Sequence, residues 1–180
     1  MSYYIFVDNS NVWIEGKYHS AINKGFAANI YEAHENAIQD NSWAIDFGNL
    51  LYEVSDGKVA EIKEAVLFGS KPTDKDSLWN AIRKAGFTVH NIDRNVANKE
   101  KKVDTGIVAE ILKTLYKKAK ENDIFVLVMG DSDFVPAVKQ INEAGVKSVC
   151  AFWNNVSGEL RTACDCYICL NDIFDNISFK

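Results

Sequence analysis

Two carboxylates, Asp131 and Asp133, flank Ser132 directly after a run of strand-forming residues, 124–129, and a single glycine, Gly130. A helical pattern follows, carried by Phe134, Val138 and Ile141. The pair is therefore aimed outward from the carboxyl end of a buried strand, which is where open α/β sheets keep their active sites. A second buried-strand run, 3–7, ends the same way in Asp8-Asn9-Ser10-Asn11. A further acid, Asp104, closes the charged segment Lys99-Glu100-Lys101-Lys102-Val103-Asp104 at the expected start of another helix. Carboxylates gathered in one cleft repel one another unless a cation sits between them, and hard divalent ions suit oxygen ligands. Mg2+ or Mn2+ held by such acids lowers the pKa of a bound water and polarises a phosphoryl oxygen, so the chemistry that fits is phosphodiester hydrolysis. Asn11 can orient a water or a phosphate oxygen, and Lys99, Lys101 and Lys102 can meet phosphate charge. Each residue also has a plainer reading. Asp104, Asp131 and Asp133 suit helix N-caps, Asp8-Asn9-Ser10-Asn11 suits a strand-to-loop turn, and a lysine run is commonly a solvated loop. Four acids at element ends on one side of one sheet are harder to explain that way together.

The elements that must position these residues alternate. Strand runs occupy 3–7, 61–68, 87–92, 124–129 and 148–152. Phe47, Leu50, Leu51 and Val54 recur at helical spacing within 45–54, and Gly57 ends that helix. Thr73-Asp74-Lys75-Asp76 opens the next with a capping-box-like start, and Gly86 closes it. Ile107, Ile111 and Leu115 mark a helix over 104–120, and Pro136 falls in the first turn of the helix after Asp133, where its missing N–H is harmless. Strands separated by helices imply parallel pairing with right-handed crossovers. The expected fold is α/β, three layers with a mainly parallel central sheet, in one domain over 1–180. Residues 15–41 are polar and only weakly periodic, and read as a partly helical insertion, a lid or a partner surface.

Bulk properties bound the functions. A length of 180 residues suits one domain with a full core. No stretch is apolar for the roughly 18 residues that a membrane span needs, and the N-terminus lacks the basic and apolar regions of a signal peptide. Of the four cysteines, Cys164, Cys166 and Cys169 crowd together, so a disulfide framework is not expected and a reducing, cytoplasmic setting fits. The net charge of −5 supplies no general electrostatic footprint for nucleic acid, although an acid cluster neutralised by cations contributes to that figure.

The residues then reach a resemblance. Phe6-Val7-Asp8-Asn9-Ser10-Asn11 resembles the opening D-x-x-N element of the NYN domains, a branch of the PIN-like ribonuclease superfamily. Lys101-Lys102-Val103-Asp104 resembles the family's K-x-x-D element, and Val128-Met129-Gly130-Asp131-Ser132-Asp133-Phe134 its G-D-S-D-F element. Ser157, Leu160, Arg161 and Asp165 are similar to its closing S-x-x-L…AD segment. The likeness covers most of the chain in the right order, outside 15–41. It implies a PIN-like, Rossmann-like fold and metal-dependent RNA cleavage. Asp8, Asp104, Asp131 and Asp133 would form the metal shell, with Asn11 and Ser132 as polar helpers. Lys102 departs from the family, where a small residue is common.

Other features are set aside or kept as alternatives. Cys164-x-Cys166-x-x-Cys169 lacks a fourth zinc ligand at fixed spacing, and such cysteines often act as small core residues. His19, His34 and His90 share no spacing. Of Trp13, Trp43, Trp79 and Trp153, only Trp13, just past the Asp8 turn, is placed to stack a base. The leading reading is an endoribonuclease acting on single-stranded or unpaired RNA. The alternative is a catalytically weak RNA-binding or adapter module on the same fold. A phosphatase of the D-x-D-x-T type is disfavoured, because the Asp8 segment lacks the second acid. Oligomeric state is open, a homodimer included.

Overall fold

The two runs richest in β-branched and aromatic residues become the two central strands, because nothing but apolar side chains can be covered on both faces of a sheet. β1 (Tyr3–Asp8) and β4 (Ile124–Val128) are buried along their whole lengths. They lie side by side in a six-stranded, all-parallel sheet of order β3-β2-β1-β4-β5-β6, with β2 at Ile62–Ser70, β3 at Thr88–Ile92, β5 at Lys147–Phe152 and β6 at Cys166–Cys169. The helices are α1 (Asn9–Asn23), α2 (Ile30–Glu35), α3 (Phe47–Val54), α4 (Asp76–Lys84), α5 (Lys99–Lys117), α6 (Val135–Glu143), α7 (Gly158–Ala163) and α8 (Phe174–Ile177). The computed structural model describes residues 1–70, 76–92 and 99–179, and within these leaves out the side chains of residues 70, 76, 91–92 and 99–104. Among the described residues no helix is long and apolar enough to cross a membrane.

The strand order decides where a site can form. From β1 the chain winds outward through β2 to β3, then returns to β4 on the other side of β1 and winds outward again through β5 to β6. The winding direction reverses between β1 and β4, and a crevice opens outside their carboxyl ends at such a switch point. The β1–β4 register pairs Tyr3 with Ile124 and Val7 with Val128. Asp8 and the Gly130-Asp131 segment consequently emerge at the same edge, beside each other.

Five of the six strands and the helices α3, α4, α5 and α6 follow the sequence periodicity. α3 buries Phe47, Leu50, Leu51 and Val54, is capped by Asp46 accepting from the Asn49 N–H at 2.9 Å, and ends where Asp56 and Gly57 turn with positive φ. Two differences stand out, and one expectation lies outside the described residues. α5 begins at Lys99, so Lys99–Asp104 forms its first turns rather than a loop, and Asp104 lies within the helix rather than at its N-terminus. Thr73, Asp74 and Lys75, read as a helix start, lie outside the described residues, and α4 is described from Asp76. The segment 15–41 is no separate insertion at its front end: α1 runs unbroken from Asn9 through residue 15 to Asn23, and α2 packs on its second half.

Candidate active site

Asp8 ends β1 and caps α1, its Oδ1 accepting from the Asn11 N–H at 3.3 Å. The strand passes into the helix without the loop that the sequence suggested. Asp8 is 5% exposed, and burial of a carboxylate at this depth is costly unless hydrogen bonds or a cation meet it. One turn into α1, the Asn11 side chain donates from Nδ2 to Asp131 Oδ2 at 2.9 Å. Asn11 thus binds both acids, one through its backbone and the other through its amide, and links the two carboxylates across the crevice.

Asp131 stands at the N-cap position of a 3-10 turn, Ser132–Phe134, that leads into α6. An aspartate there ordinarily caps the turn. Asp131 makes no such side-chain bond, and its exposed carboxylate turns toward α1 instead. Gly130 is required just before it. A Cβ on Gly130 would press into the buried Phe152 ring on β5. The Gly130 carbonyl also accepts the Ser157 N–H at 2.9 Å, which ties the start of α7 to the site. Phe134, fully buried, anchors the turn from below.

The remaining expected residues separate. Ser132 and Asp133 are exposed on the 3-10 turn. The side chains of Lys99, Lys101, Lys102 and Asp104 lie outside the description. Among the described residues no three His, Cys, Asp or Glu side chains stand close enough to hold a metal ion together, so Asp133 does not complete a triad with Asp8 and Asp131. Trp13 is half-buried with the Lys17 ammonium 4.8 Å from its ring centroid, whereas Trp43, Trp79 and Trp153 are core. Two residues along a helix correspond to roughly 160° around it by the shorter way, so Trp13 faces the flank of α1 opposite Asn11 rather than the Asp131 side. Asp165 of the closing segment sits at the amino ends of β5 and β6, accepting from the Ser148 N–H at 2.8 Å, and has a structural task there. Cys150 is buried and hydrogen-bonds toward the Met129 carbonyl.

Sequence reasoning missed a polar ladder beside the acids. His19 is 4% exposed, stacked on Trp153 at 5.0 Å, with Nε2 3.3 Å from Asn155 Oδ1 and Nδ1 3.0 Å from Asn171 Nδ2. Burial holds its pKa below the ordinary value of 6.5, against smaller opposing contributions from Asn155 and Glu15. Glu15 accepts from Asn155 Nδ2 at 2.7 Å and pairs with His34 Nε2 at 3.0 Å. The spacing Asn11, Glu15, His19 is visible as an i, i+4, i+8 series, but only once α1 is known to be a helix.

The donor set fits a hard divalent cation. Asp8 and Asp131 offer carboxylate oxygens on either side of Asn11, and Mg2+ commonly binds through one or two carboxylates while keeping several waters.

Comparison with known proteins is consistent with this geometry. The family model described as "NYN domain" matches residues 3–171. A crystal structure of a protein of unknown function from Vibrio parahaemolyticus RIMD 2210633 superposes with a TM-score of 0.69 at 18% identity, covering 99% of this chain and 96% of that one. At that identity the likeness shows the fold alone. No curated protein sequence matches this chain.

Proposed function

The chain belongs to the NYN domain family, a branch of the PIN-like nuclease superfamily, and on that premise we propose that it is a metal-dependent ribonuclease that cuts single-stranded or unpaired RNA internally. The observation that carries the reading is Asp131. It occupies a capping position, leaves the cap unmade, and is held instead by Asn11 against the Asp8 end of β1.

Asp8 and Asp131 would hold Mg2+ or Mn2+, with Asp104 as a further acid of the shell and Asp133 meeting the ion through one of its waters. When bound, the ion supplies charge to neutralise the phosphoryl oxygens and to acidify a water. The chain's own residues do the rest. Asn11 fixes one oxygen of Asp131 by hydrogen bonding and so sets the carboxylate's orientation. Ser132 and Asp133, exposed beside it, present a hydroxyl and a carboxylate to the incoming strand. Lys99, Lys101 and Lys102 on α5 would meet backbone phosphates, contacts that position RNA without reading its bases. Trp13 would stack a base on the far flank of α1. A reducing, cytoplasmic setting, the expectation drawn from the cysteines, fits this activity.

The test is cleavage of an unstructured RNA with Mn2+, with Mg2+ and with EDTA, by the wild-type chain and by Asp8→Asn. The reading expects cleavage with either metal, none with EDTA, and none from the variant. Cleavage that survives EDTA would overturn it.

A further inference from the structure

Asn11, Glu15 and His19 recur every four residues along one flank of α1, and each bonds a different loop at the carboxyl edge of the sheet. Asn11 reaches Asp131 after β4, Glu15 reaches Asn155 after β5, and His19 reaches both Asn155 and Asn171, the latter after β6. The helix is fastened to the second half of the sheet in chain order. Residues four apart lie about 5–6 Å from one another on a helix face, so each rung restrains the next.

We propose that Glu15 is a positioning residue of the candidate site, and that through it the α1–α2 elaboration controls the site's affinity for its divalent cation. This rests on the metal-site reading above. Glu15 is the hub of the ladder. A single oxygen, Oε2, takes the Asn155 amide at 2.7 Å and His34 of α2 at 3.0 Å. The Glu15 side chain is only 15% exposed, although its partners His34 and Asn155 face solvent, and a carboxylate acceptor makes these hydrogen bonds stronger than neutral ones. Rotation or sliding of α1 about its axis would move Asp8, its cap, and Asn11, the partner of Asp131, together. The Glu15–Asn155 bond lies one turn beyond Asn11 and opposes that motion. The His34–Glu15 pair, with Tyr18 packed edge-on to His34 at 4.4 Å, carries the restraint into α2. A ligand or partner that shifts α2 would therefore act on the acids without touching them.

The experiment is Mn2+ binding by calorimetry on the whole chain without RNA, with thermal melts alongside. The variants are Glu15→Ala, Asn155→Ala, their double, and Glu15→Gln, with Asp131→Asn to locate the binding. Each single alanine variant is expected to weaken Mn2+ binding about tenfold, the lower end of what loss of a residue supporting a ligand costs. The double should lose less than the sum of the two singles, because both break the Glu15–Asn155 bond. Glu15→Gln keeps an oxygen acceptor and should stay near wild type. Asn155 is exposed, so its variant keeps the test alive if Glu15→Ala does not fold. Wild-type binding that Asp131→Asn abolishes but that Asn155→Ala leaves unchanged overturns this inference alone. So do melting temperatures that fall without any change in affinity. Wild type that binds no Mn2+ overturns the metal-site reading and this inference with it.

Discussion

Gly130→Ala tests whether the turn that delivers Asp131 is set by packing. The new Cβ would lie within 2.7 Å of Phe152 Cζ and nearer still to two other ring atoms, where ordinary contact begins at 3.4 Å. The ring must retreat by at least 0.7 Å, the difference between those distances. Phe152 is 2% exposed at the carboxyl end of β5, so its ring moves only against buried neighbours. Overpacking of this kind costs about 1–3 kcal/mol. For a chain of this size each kcal/mol lowers the melting temperature by about 2–4 °C, so the expected fall is about 2–12 °C. The displaced backbone carries Asp131 with it and strains the Gly130–Ser157 hydrogen bond, so Mn2+ binding should weaken at temperatures where the variant is fully folded. Calorimetric melts of wild type, Gly130→Ala, Phe152→Leu and the double variant supply the check. The smaller ring-free side chain makes room, so the double should be more stable than the sum of singles predicts, by about 0.5 kcal/mol or more. A Gly130→Ala protein as stable as wild type, or strictly additive effects, would refute the packing explanation.

Further outcomes are expected elsewhere. His19 has a folded pKa depressed by burial, so the unfolded chain takes up its proton first as pH falls. Stability from this source should be complete above about pH 6.5 and decline below it. The melting temperature should drop between pH 7.5 and 5.5, and less in His19→Gln; equal drops would place the effect on other groups. Charge reversal of Lys101 and Lys102 should weaken RNA binding for every sequence and flatten its salt dependence, measured by fluorescence anisotropy at several salt concentrations. A change confined to one base would contradict backbone tracking. Asp131→Asn should keep the unfolding free energy, measured by denaturant titration, within about 1 kcal/mol of wild type, since no cap bond is lost, whereas a capping role would cost about that much or more.

The fold was legible where burial is two-sided. Residues 3–7 and 124–129 are apolar throughout and can be little else than central strands, and their ends placed Asp8 and Asp131 correctly. β6 escaped because four residues with two cysteines, only partly buried at a sheet edge, carry no period to read. α1 escaped for the opposite reason. One flank carries the polar residues Asn11, Glu15 and His19, so the helix's apolar stripe is faint. Gly16 is equally uninformative in sequence, yet it lies under Trp43 and Trp153, and a Cβ there would come within 2.9 Å of the Trp153 ring. His34 becomes a neighbour of Glu15, nineteen positions away, only because α2 folds back on α1. The capping reading of Asp131 was reasonable from residue type; what decides against it is the direction of one carboxylate.

The most direct measurement of the central claim is linearisation of a circular single-stranded RNA, which has no end for an exonuclease to attack. Wild type with Mn2+ should open the circle and then shorten the linear product into heterogeneous fragments, and Asp131→Asn, folded to the same melting temperature, should leave it closed. A circle that wild type leaves intact under every metal condition, or that Asp131→Asn opens at the wild-type rate, would contradict it.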